Sequence, residues 1–354
     1  MAEAWIRGKS AALDAAIAEA ASLLSASRLP VIGGLGTDVA GARAAIKLAH
    51  SVGGVVDHMH SEALLRDLDV MREAGMMVTT PTEARVRADF LLLVGPGLIE
   101  AWPTLAERLF ANRRIVWLCP DAEARPEKTY KNTVVVGDDP FELPVILAAL
   151  RARCAGRPVA HPPLSLATID SLIAELKKVR FGVAIWSAAQ HDYLTLEMLC
   201  GLVDDLNNGT RFSALPLAAA DNAAAVQQVA GWMTGFPLRT GFARGFPEHD
   251  PWRLDASRLI DSGEADCALW ISAYAARLPA WKRKPPLVAL TAGPDFGADV
   301  MIAVGRPGID HDAVEHLAAT ATLSAVNASK PSNTISVASV LGSIRTALPT
   351  ARPC

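Results

Sequence analysis

The stretch "VVDHMHSEALL" at positions 55–65 brings four potential metal ligands into six residues: Asp57, His58, His60 and Glu62. Imidazole nitrogens and carboxylate oxygens are the donors that zinc and other divalent ions take. On an extended segment, side chains two apart lie on one face, so His58, His60 and Glu62 would point the same way. A zinc site also needs a further donor at a recognisable spacing, and none follows. A polar loop at a strand end is the plainer reading, and the residues alone leave both open.

Other motifs are weaker. "GGLGTDVAG" (33–41) stands between a strand and a helix, where a dinucleotide fingerprint belongs, but Val39 replaces the third glycine of G-x-G-x-x-G. Only Asp57 could serve as the acidic residue of the next strand, and poorly. The glycines could still turn backbone N–H groups toward an anion at the helix N-terminus. No G-x-S-x-G, G-x-x-x-x-G-K-[ST], H-E-x-x-H or C-x-x-C is present, and "GDD" (137–139) lacks the downstream asparagine of a magnesium–diphosphate site. In "WKRK" (281–284), Lys282, Arg283 and Lys284 form either a solvated turn or a contact for a polyanion.

A chain of 354 residues exceeds one ordinary core, so two domains are expected. Apolar residues make up 51% and charged residues 20%, which suggests surface meant for partners, with "LPVILAAL" (143–150) a candidate patch. A net charge of −3 with mixed signs offers no footprint for nucleic acid. The five cysteines (Cys119, Cys154, Cys200, Cys267, Cys354) are dispersed, as reduced thiols are, rather than set as a disulfide framework or metal clip. Glu3, Asp14 and Glu19 interrupt the alanine-rich N-terminus and argue against a signal peptide. No apolar run approaches the roughly 20 residues that span a bilayer. A cytoplasmic protein with no membrane contact is expected.

The elements that would position these residues alternate strand with helix, the pattern of parallel α/β sheets. "LPVIGG" (29–34), "GVVDHM" (54–59), "ADFLLLVGPG" (88–97), "RIVWLCP" (114–120) and "NTVVVGDD" (132–139) read as strands, with helices over 38–52 and 99–112. The second half repeats this order in "FGVAIWSA" (181–188), "TRFSALPL" (210–217), "ADCALWISA" (265–273), "PPLVALTAGP" (285–294) and "DVMIAVGRPG" (299–308). Asp89 matches Asp266. The helix over 191–207 is expected to end at "NNG" on a left-handed cap. The expected architecture is two doubly wound Rossmann-like units with parallel sheets, related by internal duplication. An N-terminal helix spans 1–28, the units 29–153 and 166–330, a Pro/Gly-rich linker 154–165, and a C-terminal helix and tail 331–354. Sites on such sheets lie beyond the carboxyl ends of the strands.

With these segments in place, the chain resembles the B-subunit family of formylmethanofuran dehydrogenase, and most closely the B subunit of the bacterial formyltransferase/hydrolase complex. The resemblance covers nearly the whole chain. "VIGGLGTDVAGARAAIKLAHSVGGVVD" and "RADFLLLVGPG" carry part of it, and "QQVAGWMTGFPLRTGFARGFPEHDPW" (227–252) carries most. It implies a molybdopterin-oxidoreductase-like fold without the family's N-terminal iron–sulfur segment. The family's metal-binding Cys-His pair, counted from "VVD", falls on Ala63 and Leu64, whose side chains have no electron pair to donate. Arg244 in "FARGF" looks like the counterpart of the family's pocket arginine.

The resemblance therefore implies a vacated tungsten- or molybdenum-pterin site, with no metal, pterin or iron–sulfur cluster bound by this chain, in a non-catalytic structural subunit. The complex would pass a formyl group from formyl-tetrahydromethanopterin to a methanofuran-like carrier and release formate, in one-carbon oxidation. Implied partners are a formyltransferase subunit, a zinc amidohydrolase-like subunit and a C-type scaffold subunit. A glutamate-rich carrier tail, found in related methanofurans, would suit Lys282, Arg283 and Lys284. Two alternatives stand beside this reading: a pterin oxidoreductase using His60 or Ser61 in place of cysteine, and a nucleotide-binding Rossmann-like protein.

Overall fold

The computed structural model describes residues 3–120, 130–293 and 297–349. Its first strands are β1 (Ala4–Ile6), β2 (Lys9–Ala11), β3 (Pro30–Gly36), β4 (Val55–Val56), β5 (Phe90–Val94), β6 (Arg114–Leu118) and β7 (Thr133–Val136). After these come β8 (Gly182–Ser187), β9 (Phe212–Leu217), β10 (Thr240–Gly241), β11 (Glu248–His249), β12 (Cys267–Ser272), β13 (Leu287–Thr291) and β14 (Val300–Ala303). A small pair, β15 (Ala313–Leu317) and β16 (Thr322–Val326), forms a sheet of its own.

Two compact units result, and they are not the sequential halves expected from the repeat. The first comprises residues 1–61, 220–316 and 323–354, and the second 62–219 and 317–322. The first holds a sheet in the order β11-β10-β4-β3-β12-β13-β14-β1-β2, and the second a sheet in the order β9-β8-β5-β6-β7. The cores β4-β3-β12-β13-β14 and β9-β8-β5-β6-β7 are both parallel. Each parallel core takes two neighbouring strands from one half of the chain and three from the other. Residues 154–165 join two helices, Leu143–Cys154 and Leu166–Leu176, within the second unit, so they are not a linker between units. Local pattern shows that a strand is buried but not which distant strand pairs with it.

Paired aspartates show how the exchange is fixed. Asp266, just before β12, accepts the backbone N–H groups of Arg28 and Leu29, just before β3, at 3.1 and 3.2 Å. Asp89, just before β5, accepts those of Arg180 and Phe181, just before β8, at 3.2 and 3.0 Å. The same device thus sets the same pair of neighbours in both sheets. Burial works against the Asp266 carboxylate, but Ser27, Arg28 and Leu29 hold its pKa down to about 2.

In the second unit the run Phe90–Val94 is buried on both faces, as parallel sheets require. Phe90, Leu92 and Val94 pack with Val116, Ala184 and Trp186 on one side. Leu91 and Leu93 pack with Ile115, Trp117, Val183 and Ile185 on the other.

Several local expectations are corrected. The first sheet is mixed, because β10 and β11 at one edge and β1 and β2 at the other run antiparallel. Residues 1–28 are not one helix: the β1–β2 hairpin precedes the helix Leu13–Ala26. Arg7 and Gly8, with φ of 49° and 73°, give its two-residue turn the twist that hairpins favour. The helix over 99–112 is two short ones, Leu98–Ala101 and Leu105–Leu109, parted around Pro103, whose ring removes a donor. The helix Tyr193–Asn207 ends on Asn208 in a right-handed conformation, not a left-handed one. In "LPVILAAL", Leu143, Ile146, Leu147, Ala149 and Leu150 are buried in the second unit's core, so the run is mostly core, with Val145 and Ala148 left exposed. The C-terminal helix is Val337–Ala347, and 350–354 of the expected tail, Cys354 included, lie outside the described residues. Among the described residues, no helix is long and apolar enough to cross a membrane.

Candidate site at the carboxyl ends of the strands

In the first unit the strand order reverses between β3 and β12, where a doubly wound sheet opens its crevice. The glycines of "GGLGTDVAG" serve packing there. A Cβ on Gly34 (φ 75°) would lie 2.5 Å from the Ile271 carbonyl oxygen, so glycine lets β12 approach. The following helix, Val39–Val52, is capped by Asp38, whose side chain accepts the Gly41 N–H at 2.9 Å. A carboxylate already occupies the position an incoming phosphate would take, so this turn is not built for a nucleotide.

The loop 57–60 leaves β4 at the same end. His58 is buried, its Nδ1 accepts the backbone N–H of His60 at 3.0 Å, and its Nε2 lies 3.2 Å from the Asp221 carbonyl oxygen. The first contact makes Nδ1 an acceptor, so the proton sits on Nε2 and both nitrogens are used. Burial, aided by His60, pushes the His58 pKa down to about 3. His60 Nε2 meets Asp221 Oδ2 at 3.1 Å, and Arg277 Nε donates to the same oxygen at 2.9 Å. Burial opposes the Asp221 carboxylate, but these partners hold its pKa below the usual range. Asp221 and Asn222 both have left-handed backbones, and Asn222 Nδ2 donates to the Thr37 carbonyl at 2.9 Å. The crevice is therefore filled by the chain itself.

Asp57 belongs to a second group. Its Oδ2 accepts the Ala256 N–H at 2.9 Å and lies 3.7 Å from Arg239 Nε. Arg239, buried and at φ 65°, also pairs with Asp255 at 2.6 Å and donates to the Pro251 carbonyl. Burial pushes the Asp57 pKa up to about 6 against the pull of Arg239. Glu62 lies in the first turn of the helix Ser61–Glu73 and pairs with Arg66 at 3.4 Å. Ser61 Oγ accepts the His58 N–H at 3.0 Å. Among the described residues, no three His, Cys, Asp or Glu side chains gather as metal ligands.

The second unit's crevice lies between β8 and β5, and His191 fills it. A Cβ on Gly95 would lie 2.1 Å from His191 Cε1, and His191 Nε2 is 3.3 Å from the Val94 carbonyl. Arg66 binds the Ala188 and His191 carbonyls at 3.1 and 2.9 Å. Nearby, Trp186 Nε1 donates to Asp67 at 3.1 Å, and burial pushes the Asp67 pKa up to about 6. Ala63 is buried in the apolar cluster that includes Val70 and Leu92, and Leu64 is half-buried. A methyl group within an apolar core does not fit the anchor of a metal–pterin.

The remaining sequence candidates lie elsewhere. Arg244 is not enclosed: it sits on the exposed turn between β10 and β11, paired with Glu248 and over the Phe246 ring. The buried arginine of that motif is Arg239. The side chains of Lys282, Arg283 and Lys284 are exposed, while the Lys282 and Arg283 N–H groups anchor the turn on Asp261 at 2.8 and 3.2 Å. The Arg283 guanidinium abuts Gly263, the left-handed cap of the helix Ala256–Ser262. A groove of about 490 Å³ beside this turn is lined by Trp281, Arg283, Lys284, Pro285 and Asp299, among others. Sequence reasoning missed Asp221, Arg239, Arg277, Asp67 and His191. Arg239 carried a signal, because it lies within the 227–252 run.

Comparison with known proteins follows the same lines. No family model matches the chain. It is 34% identical over 319 residues to the B subunit of the formyltransferase/hydrolase complex of Methylorubrum extorquens, covering 86% of this chain and 85% of that protein. The B subunit of the tungsten-containing formylmethanofuran dehydrogenase 2 is 28% identical in Methanocaldococcus jannaschii and 25% in Methanococcus maripaludis. The matches span 63% and 64% of those two proteins. A chain in the crystal structure of the Methylorubrum extorquens complex with methylofuran superposes with a TM-score of 0.87. That match has 33% identity and covers 97% of this chain and 98% of the other.

Proposed function

The chain belongs to the B-subunit family of formyltransferase/hydrolase complexes, and from that premise we propose that it is a structural subunit that performs no chemistry itself. Its complex moves a formyl group from formyl-tetrahydromethanopterin to a methanofuran-like carrier and releases it as formate. A formyltransferase subunit and a zinc amidohydrolase-like subunit carry out the two steps, and a C-type subunit completes the scaffold, in the cytoplasm.

The observation that carries this reading is the content of the two crevices. In the first, His58, His60, Asp221 and Arg277 satisfy one another. In the second, His191 fills the space and Ala63 stands where the family's metal ligand would be. The same contacts weigh against a substitute ligand, because Ser61 Oγ and His60 Nε2 already have partners. We read the matching strand orders and the Asp89 and Asp266 contacts as the mark of an internal duplication with exchanged strands.

Co-expression with the formyltransferase and amidohydrolase-like subunits tests the role. Formate release from the formylated pterin should require this chain for assembly. Full activity from the other subunits without it would remove the structural role.

A further inference from the structure

The helices Leu13–Ala26, Val337–Ala347 and Val39–Val52 lie side by side in the first unit, the middle one packed on both others. Where Val337–Ala347 meets Val39–Val52, a groove of about 270 Å³ opens at the surface. The small residues Ala40, Ala44 and Gly342 leave the room for it. Three cations line it: Arg43 and Lys47, one helical turn apart, and Arg345 from the facing helix. All three side chains are exposed, and none has an ion-pair or hydrogen-bond partner among the described residues. Arg66, Arg114, Arg151 and Arg180, by contrast, each pair with an acid. No acid lines the groove. Asp14, which lines a neighbouring depression together with Arg345, forms no ion pair with it. The net charge of the chain is −3, so this convergence is not a general excess of base. Like charges held together cost free energy unless an anion joins them.

Gly342 is a second, independent sign. Glycine weakens a helix interior relative to alanine. Packing does not require it here, because a Cβ at this position would meet nothing within 4 Å. A side chain there would instead take up the space of the groove. We propose that the groove binds a phosphate group carrying two or more negative charges, as in inorganic diphosphate. A phosphoryl group presents three equivalent oxygens, one for each cation, whereas a carboxylate presents two in a plane. Both guanidinium groups can take phosphate oxygens in pairs, and Lys47 acts as a point charge. The lining offers no hydroxyl, amide or aromatic side chain to read a sugar or a base, so the phosphate alone is recognised. Arg345 has only the partial charge at the carboxyl end of its own helix as another partner. Because the cations are exposed, salt weakens the binding. The site does not depend on the role proposed above.

Calorimetric titration of the full chain, and of its assembled complex, with inorganic diphosphate at low salt tests the site. Saturable one-to-one binding is expected in both. Arg43→Gln with Arg345→Gln should weaken it about tenfold or more. Gly342→Leu should abolish it by filling the groove, while the melting temperature holds because no neighbour opposes the side chain. Arg157→Gln with Lys178→Gln removes the same charge from exposed positions elsewhere and should leave the affinity unchanged. No saturable binding, or binding that survives Gly342→Leu, would overturn the proposal. So would an equal loss in the Arg157 and Lys178 variant, since the attraction would then be one of overall charge. Citrate binding as tightly as diphosphate would overturn the assignment to phosphate. Binding to the free chain that vanishes in the complex would make the groove a contact between subunits, and the site would fall.

Discussion

His58 accepts the backbone N–H of His60 on Nδ1, at 3.0 Å, while the His60 ring meets Asp221, so two histidines whose spacing suggested a shared ligand are engaged within the chain instead. Burial keeps the His58 ring neutral, with a pKa of about 3. Nitrogen-correlated NMR of the histidine rings should show His58 as the Nε2–H tautomer, without titration down to about pH 4. A His58 that charges near pH 6 would mean that the crevice is open to water.

His58 and its neighbour Asp57 together set a pH dependence. A histidine with a depressed folded pKa binds its proton only when unfolded, so its contribution is full above about pH 6.5 and is lost as pH falls toward about 3. Asp57, raised to about 6, acts the other way: below that value the folded state takes up the proton first and gains stability. Between about pH 4 and 6 the two oppose each other, and below about 4 only the His58 loss continues. Denaturant titrations should therefore show these two groups nearly balanced above pH 4, with Asp57→Asn steepening the loss of stability between pH 6 and 4. An unchanged profile in Asp57→Asn would contradict the assignment.

Two arginines five residues apart in one motif should behave differently on substitution. Arg239 is buried between Asp57 and Asp255, so Arg239→Ala leaves the buried Asp57 carboxylate without a cation and should cost about 3–5 kcal/mol of stability. Arg244 pairs with Glu248 in solvent, so Arg244→Ala should change neither stability nor turnover of the assembled complex appreciably. Chemical unfolding of both variants, with turnover of the intact complex, decides the matter. A large fall in turnover for Arg244→Ala would restore chemistry to this subunit.

Metal content gives a separate check. Elemental analysis of the purified complex should find no tungsten or molybdenum bound to this chain, because Ala63 presents only a methyl group to an apolar cluster. Ala63→Cys with Leu64→His should not recruit either metal, since His191 still fills the neighbouring crevice. Stoichiometric metal in the unaltered complex would sink the structural-subunit reading.

Strands can be read from the sequence because their burial on both faces leaves near-continuous apolar runs, as in Phe90–Val94. Pairing cannot, because β3 and β12 are joined only in space. Asp89 and Asp266 hold the one local trace of it. Ala63 and Leu64 are recognisable as non-ligands from residue type alone. Asp221 is not, since its role depends on a left-handed turn that sets it against His60 and Arg277. Motif position points to Arg244 rather than Arg239 because it carries no information on burial.

The cations at 282–284 divide into two roles. Lys282 and Lys284 reach into solvent, whereas the Arg283 guanidinium lies against Gly263 at the carboxyl end of the helix Ala256–Ser262. A cation there favours the partial negative charge of the helix end. An acidic carrier tail would feel Lys282 and Lys284 mainly through long-range attraction, which salt screens within about 10 Å at 0.1 M. Lys282→Ala with Lys284→Ala should thus raise the apparent KM for the carrier at low salt, lose that effect at high salt, and leave kcat unchanged. Arg283→Ala should instead lower the melting temperature, with a smaller change in KM. Steady-state kinetics of the assembled complex at two ionic strengths, beside thermal melts, separates the two. A KM that ignores both lysines at low salt would mean that the carrier does not pass this turn.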